Sequence, residues 1–342
     1  MAARLDGPAA VDPRVERRAW LEHMRVAASD RLIEQPEEIA AYLAAGFNTI
    51  VLYDTEDGLL KSEDRIAFET AFAREHELHI LLGKATEPYD SAMGRIRTTA
   101  LRARHPLAVP AAARVSDDEI RERLALWDRY AHDLIVGVFF LHDDAFLIHV
   151  TAARQRYLYQ LAHETVPDWA VFGMIGEMGF DASADDVALY FDPAAFDHLI
   201  VLMYPLNIGE LTGEGLDNVA STDPDDDMRR YIQRYLTRMR EKFMARLNGG
   251  QRVILVIQAF AYDGEPSGHV PRSADIMIEA TLGGQMVRST PGQERNGALA
   301  YFLWDGARSG MSGLWQRPDW IETAEAANRI DELMMQGVGL NP

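Results

Sequence analysis

The sequence contains no cysteine. Disulfide bonds, thiolate zinc ligands, iron–sulfur clusters and thiol nucleophiles are therefore all excluded. The absence leaves the cellular compartment open, because a protein without cysteine is compatible with both reducing and oxidising surroundings.

Basic residues are scarce as well. The 34 Lys and Arg residues face 53 Asp and Glu residues, which gives a formal net charge of −19 at pH 7. Binding to a nucleic-acid backbone or an anionic membrane requires a basic face, so neither partner is expected.

No apolar run reaches the roughly 18 residues of a membrane span. The start, Met1-Ala-Ala-Arg-Leu-Asp-Gly-Pro, lacks the apolar core of a signal peptide. We expect a soluble protein, cytoplasmic by default, while secretion through a signal removed beforehand stays open.

Several cofactor and catalytic motifs are missing. The GxGxxG and P-loop patterns, which bind dinucleotides and phosphates, do not occur. The GxSxG turn of α/β-hydrolases and the HExxH zinc motif are absent too. We therefore expect no cofactor and no metal. One alternative is calcium at the acidic segment Asp223-Pro-Asp225-Asp226-Asp227, which lacks EF-hand spacing and also suits a helix N-terminus.

Short apolar runs recur along the chain, and each is followed by polar residues and a helical pattern. Seven runs are rich in β-branched and aromatic residues: Asn48–Tyr53, Leu78–Leu82, Ile135–Leu141, Trp169–Ile175, His198–Met203, Arg252–Ile257 and Ala298–Leu303. Strands that are apolar on both faces belong to buried parallel sheets. An eighth strand is expected within Trp20–Ala28, where a helix continuing from Val15 is the alternative.

The segments between these strands carry helix signals. Pro36 opens a segment that ends at Gly46, Ser116-Asp-Asp-Glu119 is a capping box, and Asp227 precedes a long basic helix. Strand alternating with helix predicts a parallel α/β protein, and eight such units favour closure into a (β/α)8 TIM barrel. We predict a single barrel domain over residues 19–342 with long βα loops, after an N-terminal extension over residues 1–18.

Polar and aromatic residues follow the predicted strands. They are Tyr53-Asp54, Lys84, His142-Asp143-Asp144, Glu177, Tyr204, Gln258-Ala-Phe260 and Trp304-Asp305. In a barrel the carboxyl ends of the strands converge on one mouth, where barrel enzymes build their sites. Aromatic faces pack on the C–H faces of sugar rings, and carboxylates and amides bind hydroxyls. Glycoside cleavage needs two carboxyl groups that flank the bond, one protonated and one ionised.

Four strand-end segments together resemble the TIM-barrel glycoside hydrolases of the clan-A and chitinase-like kind. They are Gly137-Val-Phe-Phe-Leu-His-Asp143-Asp144, Asp197–Pro205, Gln258-Ala-Phe260 and Tyr301-Phe-Leu-Trp304. The resemblance covers about residues 35–335 and implies an acid/base residue after strand four, a subsite Tyr after strand six and a Trp floor from strand eight. The sequence departs from the chitinase DxxDxDxE pattern and from the Asn-Glu pair of many clan-A enzymes, so the nucleophile stays unassigned.

The predicted function is a cofactor-free glycosidase that cleaves an oligo- or polysaccharide. The predicted catalytic residues are Asp144 as the preferred acid/base, Glu177 and Asp143, and either Glu177 or Asp54 is the expected partner of Asp144. The predicted substrate-binding residues are Asp54, Lys84, His142, Tyr204, Gln258, Trp304 and Asp305. Capping of a helix is the alternative for Asp143 and Asp144, and core packing is the alternative for Tyr204, Gln258 and Trp304. A non-catalytic carbohydrate-binding barrel and a metal-dependent barrel hydrolase or lyase are the alternative functions.

Overall fold

The computed structural model describes residues 20–29, 31–56, 59–84, 115–141, 144–146, 148, 150–206, 223–262, 270–305 and 311–336. Within them, eight parallel strands close into one barrel. The strands are β1 (Arg25–Ala28), β2 (Thr49–Tyr53), β3 (His79–Gly83), β4 (Ile135–Phe139), β5 (Ala170–Ile175), β6 (His198–Met203), β7 (Val253–Gln258) and β8 (Leu299–Phe302). Each strand pairs with its neighbour in sequence, and β1 closes the ring by pairing with β2 and β8. The prediction of a single-domain (β/α)8 TIM barrel is confirmed.

A helix follows every strand in the described residues. The helices are α1 (Pro36–Ala44), α2 (Glu63–Glu75), α3 (Asp117–Ala131), α4 (Ala152–Thr165), α5 (Ala184–Tyr190), α6 (Pro224–Lys242), α7 (Ser273–Arg288) and α8 (Pro318–Met335). Capping side chains fix several helix starts. The Ser116 side chain accepts the Glu119 N–H at the start of α3, as its capping sequence predicts. Helix α6 begins before Asp227, at Pro224, because the Asp223 side chain accepts the Asp225 N–H and Pro suits the first helical position.

The expected first strand lies at Arg25–Ala28, inside the predicted range Trp20–Ala28. Two short antiparallel pairs project beyond the barrel strands, Thr55–Glu56 with Leu59–Leu60 and Ala261–Tyr262 with Met311–Ser312. The three long loops expected after strands three, six and seven lie mostly outside the described residues. No helix in the described part of the chain combines the length and apolar character that a membrane crossing requires.

Alternate residues of each strand face either the barrel axis or the surrounding helices. On β7, Leu255 packs against Gly283 of α7, where an added Cβ would come within 2.6 Å of the leucine side chain. On β8, the Tyr301 hydroxyl donates to Asn328 of α8. Leu255 and Tyr301 therefore face the helices, and the residues that alternate with them along each strand face the axis. Gln258 and Phe302 thus point into the barrel at its mouth, the carboxyl ends of the strands.

Candidate active site

Glu177 lies at the mouth, two residues after the end of β5, and begins a single 3₁₀ turn, Glu177–Gly179. Its side chain crosses to the end of β6, where Oε1 accepts the Tyr204 N–H at 2.5 Å. The preceding Gly176 is in close contact with its surroundings, because a Cβ there would come 3.3 Å from Asp144 Oδ2. Glu177 is partly exposed. A carboxylate is thereby fixed over the ends of β5 and β6 with access from the mouth.

Asp144 lies beneath this turn and is only 2% exposed. Its Oδ1 accepts the Phe146 N–H and its Oδ2 accepts the Met178 N–H, both at 3.0 Å. The carboxylate thus connects the segment after β4 to the turn that carries Glu177. This contact set holds Glu177 in place and leaves Asp144 itself remote from solvent.

Three aromatic rings form a patch at the ends of β6, β7 and β8. The patch consists of Tyr204, Phe260 and Phe302. The Phe260 ring lies 5.2 Å from both other rings in edge-on geometry, and Tyr204 and Phe302 are 5.9 Å apart. Tyr204 and Phe302 are partly exposed. Because Glu177 binds the backbone of Tyr204, this aromatic patch and the carboxylate adjoin each other.

Gln258 ends β7 and is fully buried. Its Oε1 accepts the Leu206 N–H at 3.0 Å, while its own backbone N–H donates to Oε2 of Glu279 on α7 at 2.9 Å. Burial raises the pKa of Glu279 well above its ordinary value, against the smaller lowering by the Gln258 N–H. Burial thus favours the protonated form of Glu279, which holds the end of β7 from the helix side.

Two stacked tyrosines on α6 lie close to Glu177. The rings of Tyr231 and Tyr235 are 5.9 Å apart and nearly parallel, and the Tyr235 hydroxyl donates to the Leu202 carbonyl at 2.6 Å. Burial raises the pKa of both tyrosines well above 10, and the negative charge of Glu177 raises it further. Both hydroxyls thus stay protonated behind the carboxylate.

Asp54 and Lys84 form part of a buried charge cluster between the barrel and α3. Lys84 Nζ lies 2.7 Å from Asp54 Oδ2, and Arg123 binds Asp54 Oδ1 at 2.6 Å. The Trp127 indole N–H also donates to Asp54 Oδ1, at 2.7 Å. Asp54 and Lys84 are 1% and 2% exposed. The structure brings these two predicted residues together, but their contacts are with α3.

Trp304 and Asp305 lie on the side of the mouth formed by β8 and β1. Trp304 is fully buried against Tyr42 and Trp315, and its indole N–H donates to Glu38 at 2.9 Å. Arg31 binds both Glu38, at 2.9 Å, and Asp305, at 2.6 Å. Trp304 therefore packs in the core, which was the alternative to its predicted role in binding substrate. The aromatic ring from β8 that does reach the mouth is Phe302.

Two predicted site residues, His142 and Asp143, lie outside the described residues. The acidic segment Asp223–Asp227 caps and begins α6, with Asp225 bound to Arg272. No group of three or more His, Asp or Glu side chains is arranged to hold a metal ion in the part of the chain that the structure describes.

The mouth therefore brings Glu177, Tyr204 and Gln258 together and holds Asp144 just below them. Phe302 and Glu279 were not among the residues predicted for the site. Phe302 could have been found from the period-two alternation along β8. Glu279 could not, because an isolated glutamate on an amphipathic helix gives no sign that it faces a strand end.

No protein-family profile matches the chain, and no curated protein matches its sequence. Solved structures do match its fold. A glycoside hydrolase family 5 mannosidase from Rhizomucor miehei is 9% identical with a TM-score of 0.54, over 93% of this chain and 94% of that one. An endo-β-1,4-mannanase from Thermotoga petrophila is 11% identical with a TM-score of 0.52, over 94% and 77%. A β-galactosidase from Halorubrum lacusprofundi is 12% identical with a TM-score of 0.56, over 90% and 58%.

These similarities confirm the resemblance to TIM-barrel glycoside hydrolases at the level of the fold. Identities of 9% to 12% carry no catalytic residue from those proteins to this chain.

Proposed function

We propose that the protein is a glycoside hydrolase that cleaves an oligo- or polysaccharide by carboxylate catalysis, and so acts in carbohydrate degradation. The observation that carries the proposal is the placement of Glu177 beside the aromatic patch. A partly exposed carboxylate next to partly exposed rings can act on a sugar bound against those rings. The similarity in fold to glycosidases supports the same reading by analogy.

Glu177 is the proposed acting carboxylate. The Tyr204 N–H bound to Oε1 suits an ionised group that acts as base or nucleophile. Asp144 is the proposed positioning residue, because its two oxygens bind backbone N–H groups on either side of the Glu177 turn. Asp143, a prediction from the sequence, is kept as the candidate for the second carboxyl group that glycoside cleavage requires.

The test is hydrolysis of a panel of polysaccharides and oligosaccharides, with product analysis, by wild type and by Glu177→Gln. On any substrate that the wild type cleaves, we expect kcat to fall by about 10²- to 10⁴-fold, the usual contribution of an acid/base group. Asp181→Asn is the matched control, because Asp181 is an exposed carboxylate nearby that binds Arg238 at the surface. Its kcat should stay within about twofold of wild type. A Glu177→Gln enzyme that keeps near-wild-type turnover would contradict the proposal.

Asp144→Asn separates positioning from acid/base chemistry. We expect a lower kcat with an unchanged shape of the pH–rate profile, because the titrating groups remain. Loss of one limb of that profile would instead make Asp144 the acid.

A second candidate function is a carbohydrate-binding barrel without catalysis. It is favoured by the burial of Asp54, Asp144 and Asp305, each at 2% exposure or less and each bound to protein groups. This reading predicts that the wild type binds an oligosaccharide without releasing product, and that Phe302→Ala abolishes binding. The metal-dependent alternative predicts that activity is lost on treatment with a chelator.

A further inference from the structure

The amide of Gln258 has a fixed orientation. Because the Leu206 N–H is a donor, the group that faces it must be the amide oxygen, and the observed contact is Oε1 at 3.0 Å. The Nε2 donor must then point away from Leu206. It is buried and has no hydrogen-bond partner among the described residues. A buried amide donor without an acceptor is rare in folded proteins and calls for an explanation.

The position of Gln258 indicates what the donor faces. Gln258 is on the axis-facing side of β7 at its carboxyl end, next to the aromatic patch. Glu177 binds the N–H of Tyr204, and Gln258 binds the N–H of Leu206. These two N–H groups are two residues apart in the chain, so they are separated by no more than about 7 Å. One bound sugar residue can therefore reach both side chains.

The charged residues near the strand ends narrow the class of sugar. Lys84 and Arg123 are bound to Asp54, and Arg31 is bound to Glu38 and Asp305. In the part of the chain that the structure describes, each of these three cations is thus already paired with a protein carboxylate. A uronic acid or sialic acid would also face the charge of Glu177. A hydroxyl oxygen can accept from the Gln258 amide without the repulsion from Glu177 that a carboxylate would meet.

We propose that Gln258 determines specificity at this site, where its Nε2 donates to a hydroxyl oxygen of an uncharged sugar bound on the aromatic patch beside Glu177. The inference rests on the proposed function for the site and the ligand class, and it does not require cleavage. It assigns the substrate to neutral sugars, and it explains why β7 ends in a buried amide rather than an apolar side chain.

The test measures binding without turnover. Isothermal titration of the Glu177→Gln protein uses four probes: cellotetraose, mannotetraose, chitotetraose and trigalacturonate. Trigalacturonate is also titrated into wild type, which keeps the Glu177 charge. We expect at least one neutral oligosaccharide to bind the Glu177→Gln protein about tenfold or more tightly than trigalacturonate binds wild type. Adding Gln258→Leu removes the amide donor without introducing a charge or an acidic proton, and should weaken neutral binding by about 5- to 20-fold. Gln258→Met removes the donor without adding a charge and should weaken it similarly.

Gln251 supplies the matched control. It is a buried glutamine just before the other end of β7, and its Nε2 donates to the Pro193 and Phe196 carbonyls at 2.7 and 2.8 Å. Gln251→Met should lower the melting temperature and leave oligosaccharide affinity unchanged. Circular dichroism of every variant confirms that affinity is measured on folded protein.

The outcomes separate this inference from the proposed function. If wild type binds a neutral oligosaccharide but releases no product, hydrolysis is refuted, while loss of affinity in both Gln258 variants still supports the inference. If wild type cleaves a substrate and both Gln258 variants bind it as tightly as the parent, the inference fails and the glycosidase stands. Tighter binding of trigalacturonate than of every neutral probe also overturns it.

Discussion

At the scale of single residues, Asp54 is a carboxylate that the sequence predicted to bind substrate and that the structure shows bound to protein groups. Its oxygens are bound by Lys84, Arg123 and Trp127, and the residue is 1% exposed. The buried Lys84 and the partly exposed Arg123 both bind this single carboxylate. The free energy of unfolding therefore depends on the negative charge of Asp54, which compensates both cations.

We predict that Asp54→Asn lowers the free energy of unfolding by about 3 kcal/mol or more, because it leaves Lys84 and Arg123 without their buried counter-charge. Urea denaturation measures the change. Glu119→Gln is the control, since Glu119 is 3.6 Å from Lys84 with a side chain that is 38% exposed. Its effect should stay below about 1 kcal/mol. If Asp54→Asn is as stable as wild type but has lost affinity for sugar, Asp54 is a binding residue after all.

Some residues of the site could be predicted from the sequence, and others could not. Strand ends mark the residues near the mouth, so Glu177, Tyr204 and Gln258 could be named in advance. The side on which a residue lies is harder to predict. Beyond the last paired residue of a strand the period-two alternation no longer holds. Trp304, two residues after the axis-facing Phe302, turns toward α1 instead of the axis. Only the position of the helices, a tertiary feature, decides this.

At the scale of elements, β7 and α7 are joined at the mouth by Glu279. Its Oε2 accepts the Gln258 N–H at 2.9 Å, and burial raises its pKa well above the ordinary value, opposed by that hydrogen bond. The folded protein therefore holds a proton that the unfolded chain releases above about pH 4.5. By linkage, this group stabilises the fold fully at low pH and loses that contribution as pH rises toward its folded pKa.

We predict that Glu279→Gln, which stays neutral and keeps an acceptor for the Gln258 N–H, removes this dependence. As pH rises from the ordinary carboxyl pKa toward the raised pKa of Glu279, the free energy of unfolding of the variant should increase relative to that of wild type, by at most about 1.4 kcal/mol per pH unit. Denaturation with urea at three pH values gives the slope. Parallel curves for the two proteins would mean that Glu279 is ionised in the fold.

The elements themselves were predictable because their signals are local. Apolar strands of four to six residues recur in every unit, and capping side chains such as Ser116 begin several of the helices. The start of α6 was harder to predict, because Asp223 and Asp227 both suit a cap and only the contact with the Asp225 N–H distinguishes them. Boundaries therefore follow from hydrogen bonds that the sequence alone leaves ambiguous.

At the scale of the whole molecule, the barrel is closed by contacts between its first and last elements. Arg25 of β1 binds the Gly297 carbonyl just before β8 and Asp331 of α8, and Asp331 also binds Arg288 of α7. The Arg25 and Asp331 side chains are 1% and 3% exposed. These residues lie 306 positions apart in the sequence, so the ion pair joins both ends of the barrel.

We predict that Asp331→Asn destabilises the entire barrel and not merely α8. Removal of the charge leaves Arg25 buried without a counter-ion, which costs about 3–5 kcal/mol. For 342 residues, an unfolding entropy of roughly 2.1 cal/mol/K per residue converts this into a fall in melting temperature of about 4–7 °C. Because the barrel is one domain, far-UV circular dichroism and tryptophan fluorescence should report the same midpoint.

Glu325→Gln is the control, as Glu325 pairs with Arg329 on the exposed face of α8. The melting temperature of this variant should differ from that of wild type by less than about 1 °C. Separate midpoints in Asp331→Asn would show that α8 detaches before the strands unfold, and that closure does not depend on this pair.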